Sequence, residues 1–179
     1  MNVQTENSRS DVPTAGALAF LRGEKGADIA EIHSRLLRED GVAASVPLSG
    51  GEWNILLRLA AKDMESLDQI AERLIGAVKG VEDIEARYLE EIWTADTSCA
   101  EYKASACAVL DVDSGSLSAL VARFREMTEV TEGNITDDGK KIILFLRDNS
   151  FREIRNIVGR EIRPLSGVLR VKLFNAMNF

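Results

Sequence analysis

Residues Ser49–Asn54 could form a ligand site, because they join turn glycines to an aromatic and a polar side chain. Glycines let a ligand approach the backbone, and Trp53 offers an apolar wall. Glu52 or Asn54 could bind an ammonium group. We therefore predict a site for a small molecule such as an amino acid at Ser49, Gly50, Gly51, Glu52, Trp53 and Asn54. The alternative is a plain hairpin whose tryptophan packs in an interface.

A second candidate element is the turn that precedes the first predicted helix, Gly23–Asp28. Backbone amides at a helix N-terminus can bind a carboxylate, so Gly26 and Asp28 are included in the predicted site. The turn lacks the glycine-rich phosphate fingerprint. A simple connection between strand and helix is the alternative interpretation.

No catalytic or metal centre is evident from residue types and spacing. The only histidine, His33, lies beside the apolar face Ile29, Ile32 and Leu36, which favours a core or boundary position. Cys99 and Cys107 have neither metal-ligand spacing nor a disulfide framework, and Cys107 sits in a small apolar run typical of a buried thiol. We expect no enzyme activity, no metal and no cofactor.

Composition limits the partners. The net charge of −7 disfavours a general nucleic-acid surface, because non-specific affinity comes from neutralised phosphates. No apolar run reaches the 18 residues or so of a membrane span. Residues 1–14 are polar, carry no secretory h-region and are expected to form a disordered lead-in. A reducing cytoplasm is the expected location.

Four segments have the apolar spacing of a helix with one buried face. Asp28, Asp63, Ser116 and Ser150 are their predicted N-caps, and glycine–valine pairs at Gly41, Gly80 and Gly167 mark three of their ends. Strands are predicted at 17–22, 43–48, 54–60, 84–89, 103–112, 131–136, 141–147 and 169–174. Asp138-Gly139 is a typical tight-hairpin pair.

The chain repeats itself. Shifted by 87 residues, 54–81 aligns with 141–168 without a gap, and eight of the 28 positions are identical, including Ile75 with Ile162. The predicted class is therefore α+β, with tandem ferredoxin-like βαββαβ units whose antiparallel sheets carry helices on one face. The predicted domains are 15–93 and 101–179, joined by a short polar linker near Thr94–Ala100. Trp93 is predicted to be a packing anchor at that linker.

The third strand of each unit is apolar on both sides, at Ile55–Leu57 and Ile142–Leu146. An antiparallel sheet with one wet face should alternate instead. We predict that each unit covers the open face of the other, by sheet stacking or by edge pairing.

Charge is divided unequally between the halves. Residues 1–96 hold 10 Lys and Arg against 18 Asp and Glu, and residues 97–179 hold 12 against 11. Arg152, Arg155, Arg160 and Arg163 fall within an arc of about 140° on a regular helix. A solvated face is the simpler interpretation, and a docking surface for an acidic partner, such as the first half of a second chain, is the other.

The stretch Gly51-Glu52-Trp53-Asn54-Ile55-Leu56-Leu57 resembles the Gly-x-aromatic-Asp-x-Leu-Leu stretch of Lrp/AsnC ligand-binding (RAM) domains. The helix ending in Val78-Lys79-Gly80-Val81 is also similar to that family. The resemblance covers residues 15–92, extends to 102–176 by pattern only, and shares its skeleton with ACT domains. Asn54 replaces the usual Asp, and about 14 residues precede the first strand where the family carries a helix-turn-helix.

The resemblance implies a regulatory module that binds an amino acid or similar ligand, forms homo-oligomers and lacks its own DNA-binding domain. The expected function is therefore a non-catalytic, Lrp/AsnC-type small-molecule-binding module, with a protein partner possible and no direct contact with nucleic acid or membrane. The alternatives are an oxygenase or decarboxylase on a ferredoxin-like dimeric barrel, or a purely structural interaction module.

Overall fold

The computed structural model describes residues 15–94 and 102–177. The expected lead-in, most of the expected linker and Cys99 lie outside the described residues. The described strands are β1 (Ala15–Gly23), β2 (Val42–Ser49), β3 (Ile55–Ala61), β4 (Val81–Tyr88), β5 (Glu91–Thr94), β6 (Ala104–Val112), β7 (Val130–Thr136), β8 (Lys141–Asp148) and β9 (Val168–Ala176). The helices are α1 (Ile29–Leu36), α2 (Met64–Ala77), α3 (Leu117–Glu126) and α4 (Phe151–Ile157), which continues into a π turn at Val158–Ile162.

The described strands join one sheet in the order β4-β1-β3-β2-β9-β6-β8-β7-β5, and every pair is antiparallel. The α+β class with antiparallel pairing is confirmed. Strands β4-β1-β3-β2 and strands β9-β6-β8-β7 follow the same order, fourth, first, third and second in the chain. The two groups meet edge to edge where Leu48 and Ser49 of β2 pair with Ala176 and Asn175 of β9.

The core has three parts. One cluster lies between each set of helices and its strands, and the third lies between the two halves. In the third cluster, Leu18 and Leu56 of the first half pack with Ile143 and Phe145 of the second. The doubly apolar third strands are thus explained, since each half covers the other's open face. Edge pairing and face-to-face packing occur together.

Three of the four predicted N-cap side chains make the capping hydrogen bond expected of them. Asp28, Asp63 and Ser150 accept backbone N–H groups as predicted. Ser116 is also the residue that precedes α3, but its side chain makes no capping hydrogen bond, because its hydroxyl donates to Asp113 instead.

The predicted helix ends are displaced. Gly41, Gly80 and Gly167 all have φ near +90°, but each lies three to five residues beyond its helical segment and turns the chain into the next strand.

The sequence analysis missed strand β5, because it predicted no strand between residue 89 and the polar linker that begins near Thr94. After β4 the chain continues almost at once into β5, which pairs along β7 with Trp93 opposite Gly133. Trp93 is buried against the helix-side core of the second half, so the predicted packing anchor is confirmed. A four-residue strand with an exposed Ile92 gives little periodic signal.

Candidate functional site

A cavity of about 90 Å³ opens between the two halves, at the end of the shared core. The first half contributes residues of β1, β4 and the β2–β3 hairpin, and the second half contributes residues of β6, β8 and β9. The lining residues are Phe20, Trp53, Glu85, Arg87, Val109, Asp111, Lys141, Arg170, Lys172 and Phe174. Strand alternation places these side chains on the inner face of the sheet, opposite the helices.

One wall of the cavity is aromatic. The ring centroid of Phe20 lies 6.3 Å from that of Trp53 and 6.1 Å from that of Phe174, both tilted. Gly51 makes this arrangement possible, because a Cβ there would lie 2.3 Å from the Phe174 ring. The wall is therefore built jointly by both halves, and it offers a flat apolar surface to a ring.

The remaining lining is charged and has more cations than anions. Arg87 is paired with Glu85 and with Asp137, and Lys141 is paired with Asp111. Arg170 forms no hydrogen bond or ion pair with any residue in 15–94 or 102–177. Its charge acts on the nearby Glu52, but no carboxylate of the protein is in contact with it, so its guanidinium can bind a carboxylate or another anion at the edge of the cavity.

Lys172 and Glu52 form the rim. Lys172 Nζ donates to Glu52 Oε1 at 2.6 Å, across the junction between the halves. This hydrogen bond and the lysine's charge lower the pKa of the exposed Glu52 below its ordinary value. Glu52 is thus already engaged by a cation of the protein, which leaves it less suited to bind a ligand's ammonium.

Other residues of the Ser49–Asn54 hairpin hold it in place. Asn54 Oδ1 accepts from the Gly23 N–H at 3.0 Å, which fastens the hairpin to the end of β1. Ser49 pairs with Asn175 of β9, and Gly50 supplies a φ of +90°. Of the six predicted hairpin residues, Trp53 alone lines the cavity, with Glu52 and Gly51 beside it.

A sequence comparison finds a likeness for this half of the molecule. Residues 17–91 match the family model of the Lrp/AsnC ligand binding domain. The match ends where β5 begins, so the second half, which supplies six of the ten cavity residues, lies outside it. No curated protein matches the chain significantly.

Solved structures share the fold over nearly the whole chain. The siroheme decarboxylase NirDL aligns with a TM-score of 0.65 and 11% identity, over 91% of this chain and 71% of that one. A mutant chlorite dismutase from Candidatus Nitrospira defluvii aligns with a TM-score of 0.57 and 12% identity, over 96% and 92%. A putative monooxygenase from Lactobacillus acidophilus NCFM gives 0.55 and 10%, over 93% and 94%. At such identities the likeness is one of fold.

These neighbours correct one expectation. The prediction that the protein is not an enzyme is contradicted, because the solved structures that share this fold include a siroheme decarboxylase and a chlorite dismutase. The prediction rested on the scarcity of histidine. Lysine, arginine and carboxylate side chains converge at the cavity instead, and these groups also serve as acids, bases and anion binders.

Gly26 and Asp28 lie within the residues that match the family model but do not line the cavity. They line a separate depression of about 350 Å³ on the helix side, together with Lys79 and Gly80. Asp28 itself accepts the N–H groups of Ala30 and Glu31 at 3.0 and 3.1 Å. The amides expected to bind a ligand carboxylate are therefore bound to a carboxylate of the protein.

His33 and Cys107 take the structural positions predicted for them. His33 Nδ1 lies 2.8 Å from Ser45 Oγ, between α1 and β2, on the face away from the cavity. Cys107 is fully buried in the shared core, and burial raises the pKa of its thiol. Among the described residues, no group of three or more histidine, cysteine or acidic side chains could hold a metal ion. No described helix is long and apolar enough to cross a membrane.

A row of polar side chains on the inner face of β7 was not foreseen. Glu132 pairs with Arg58 of the first half and accepts a hydrogen bond from Asn134 Nδ2 at 2.8 Å. Asn134 Oδ1 and Thr136 Oγ1 are buried and have no hydrogen-bond partner among the described residues. Thr136 pairs with Lys141 of the cavity lining, so the row leads from the shared core to the cavity. The sequence signal that could have indicated this row is the alternation of polar residues along β7, at Glu132, Asn134 and Thr136.

Proposed function

We propose that this protein binds a small aromatic carboxylate in the cavity between its halves and removes the carboxyl group as CO2. The observation that carries the proposal is the juxtaposition of Arg170, which forms no hydrogen bond or ion pair among the described residues, with a three-ring apolar wall. Arg170 binds the carboxylate, the Lys172–Glu52 pair stays at the rim, and Trp53, Phe20 and Phe174 enclose the ring.

Lys141 is the proton donor in this proposal. Its ammonium group is held by Asp111 inside the cavity lining. It delivers a proton to the ring carbon that bears the carboxylate. The carbon–carbon bond then breaks, its electron pair returns to the ring, and CO2 leaves. Water reprotonates Lys141. The step needs no oxidant, and an electron-rich ring such as a hydroxybenzoate is the fitting substrate class.

A tetrapyrrole substrate, the kind named for the siroheme decarboxylase, fits the described residues poorly. A cavity of about 90 Å³ holds one ring rather than a macrocycle of four. The chain's only histidine is bonded to Ser45 on the helix side and cannot reach iron in the cavity. The proposal therefore names a single-ring substrate.

The family match favours a second candidate ligand, an amino acid. The cavity offers cations for a carboxylate and Glu85 or Asp111 for an ammonium group. In this case the protein senses an amino acid, as the Lrp/AsnC domain implies. A ligand at 100 times its dissociation constant stabilises a protein by about 2.7 kcal/mol, so a thermal-shift screen of amino acids tests this candidate.

The test of the proposed reaction uses 4-hydroxybenzoate labelled with 13C at its carboxyl group. We expect the intact protein to release labelled CO2, measured by mass spectrometry, and to bind the compound in calorimetry. Lys141→Met should retain binding and lose release. Arg170→Ala should weaken binding, by about tenfold for a lost charge-assisted contact.

Arg38→Ala provides the control, because this exposed arginine lies just beyond α1, away from the cavity lining. It should bind and react like the parent protein. If labelled hydroxybenzoates show neither binding nor CO2 release, the proposed reaction is wrong. If Arg170→Ala binds as tightly as the parent, the anion site lies elsewhere.

A further inference from the structure

The outer faces of two equivalent helices have opposite charge. Helix α2 exposes Glu65, Asp68 and Glu72, whereas α4 and its π turn expose Arg152, Arg155, Arg160 and Arg163. The 87-residue shift that relates the halves places Glu65 over Arg152 and Asp68 over Arg155. At these two positions the repeated unit is therefore acidic in one half and basic in the other, whereas Arg160 lies over the identical Arg73.

The four arginines have no ion pair or hydrogen bond with any side chain that the structure describes. Two other surface arginines do form ion pairs, since Arg35 pairs with Glu31 and Arg123 with Glu126 and Glu161. The arginine face is thus a concentrated, uncompensated positive charge. Such a surface attracts an acidic one and repels its own kind.

The acidic residues of α2 form no ion pair on their own helix, because its exposed arginine, Arg73, donates to the Asp40 carbonyl instead. Asp68 accepts a hydrogen bond from the Tyr88 hydroxyl, and Glu65 accepts one from Gln69 at 3.5 Å. Neither these carboxylates nor Glu72 forms an ion pair within the described parts of the chain. The carboxylates therefore retain their charge for an external partner.

Apolar side chains lie beside both charged faces. Met64 and Ile75 on α2 are 47% and 45% exposed. Leu169, which is 71% exposed, borders one surface depression with Arg163. Exposed apolar residues beside a charged stripe supply the burial that exposed ion pairs alone do not.

We propose that the arginine face of one chain docks on the acidic α2 face of a second copy of this chain. Within one chain the two faces cannot meet, because α2 packs on β1, β3 and β4 and α4 packs on β6 and β8. The contact joins two different surfaces, so each added chain leaves one face of each kind free. The assembly is consequently head-to-tail, and it is held by interactions that salt screens.

Charge reversal tests the pairing in the full-length protein. Sedimentation velocity over a concentration series at about 50 mM salt should show self-association, which is lost at about 0.5 M salt because the Debye length shortens. R152E/R155E and E65R/D68R should each raise the dissociation constant at least about tenfold, since attraction becomes repulsion at both positions. An equimolar mixture of the two variants should associate again.

The control is K25E/R38E, which changes the net charge by the same amount on exposed residues away from both faces. It should self-associate like the parent, and circular dichroism should show all variants folded. A parent that stays a single chain at low salt overturns the proposal. So does an R152E/R155E protein that associates normally, or a mixture of folded variants that fails to associate and so points to an acidic partner other than this chain.

Discussion

Ile75 and Ile162 occupy equivalent positions in the two halves, yet one is 45% exposed and the other is fully buried. Both follow the same apolar pattern in sequence. In the first half, Leu74 is the residue buried at this level of the helix, and its counterpart Glu161 is exposed. The identical residue thus faces solvent in one half and the core in the other.

The π turn at Val158–Ile162 causes this difference. The Arg163 N–H donates to the Val158 carbonyl at 2.8 Å, a bond that spans five residues instead of four. Because the π turn contains one extra residue, each side chain at its end takes the position around the helix axis that the preceding residue would have in a regular α-helix. Helix α2 has no such turn and stays α-helical to Ala77. Two residues that align in the repeat therefore lie in equivalent helices, but they do not necessarily lie on the same face of those helices.

The largest expected effect comes from truncating this isoleucine pair. Ile162→Ala should lower the free energy of unfolding by about 2–5 kcal/mol, because it leaves a cavity in a closed core. Ile75→Ala should change it by less than about 1 kcal/mol, because its side chain is half solvated. Chemical denaturation of both variants measures the difference. Equal losses would show that the two helices have the same register.

A second comparison uses the part of each half before its β2–β3 or β7–β8 hairpin, where a shift of 88 residues relates the halves. It sets Ser45 and His33 of the first half against their counterparts, Gly133 and Val121. In the first half, the serine and the histidine are bonded to one another. In the second half, Trp93 of β5 lies over Gly133, where a Cβ would come within 1.9 Å of its ring. The tryptophan takes the space that a side chain fills in the other half.

Gly133→Ala should therefore cost more than Ser45→Ala. The added methyl must displace Trp93 and part of β5, at about 3 kcal/mol, whereas Ser45→Ala loses a single hydrogen bond of about 1 kcal/mol. Trp93 fluorescence in a Trp53→Phe background reports the displacement as a shift to longer wavelength. An unshifted spectrum with parental stability would show that Trp93 does not require the glycine.

Two threonines on β7 offer a smaller contrast. Thr136 Oγ1 is buried without a partner among the described residues, whereas Thr131 Oγ1 donates to the Phe145 carbonyl at 3.2 Å. Thr136→Val should stabilise the protein by about 1 kcal/mol, because it removes an unsatisfied polar atom. Thr131→Val should destabilise it by a similar amount. Thermal unfolding of the pair gives opposite signs, and a destabilised Thr136→Val would mean that the hydroxyl has a partner such as an ordered water.

Much of the fold could be predicted from sequence, because periodicity marks the strands that alternate and the helices with one apolar face. All eight predicted strands occur, and the doubly apolar Ile55–Leu57 and Ile142–Leu146 correctly indicated a covered face. The π turn and β5 were missed, because a hydrogen-bond shift of one residue and a four-residue strand leave no periodic signal.

The cavity was only partly predictable for a related reason. Trp53 could be predicted as a site residue, because it is an aromatic residue next to the turn glycines Gly50 and Gly51. Phe20, Arg170 and Lys172 also line the cavity. The alternation of their strands predicts which face of the sheet each side chain occupies, but it does not predict which residues of the other half lie next to it. Gly26 and Asp28 carry typical signals of an anion-binding turn, yet the same signals arise when the protein caps its own helix.

The smallest effect concerns the helix caps, which also differ between halves. Helix α2 is capped by a carboxylate, since Asp63 Oδ1 accepts from the Ser66 N–H at 2.8 Å, whereas α4 is capped by the hydroxyl of Ser150. The hydrogen bonds from Ser66 lower the pKa of Asp63 below its ordinary value of 3.8. The folded protein therefore binds this proton less readily than the unfolded chain does, and the stabilisation is fully present above pH 3.8.

That stabilisation is lost as the pH falls from 3.8 through the lower pKa of the folded state. Asp63→Ser makes the two caps alike and removes the titration, since serine caps a helix without an ionisable group. The variant should match or fall slightly below the parent at pH 7 and gain on it steadily below pH 4. Unfolding midpoints across this range measure the difference, and Ser150→Ala should shift the midpoint equally at every pH. A parent and Asp63→Ser variant that stay parallel down to pH 3 would show that the carboxylate does not cap α2 in its ionised form.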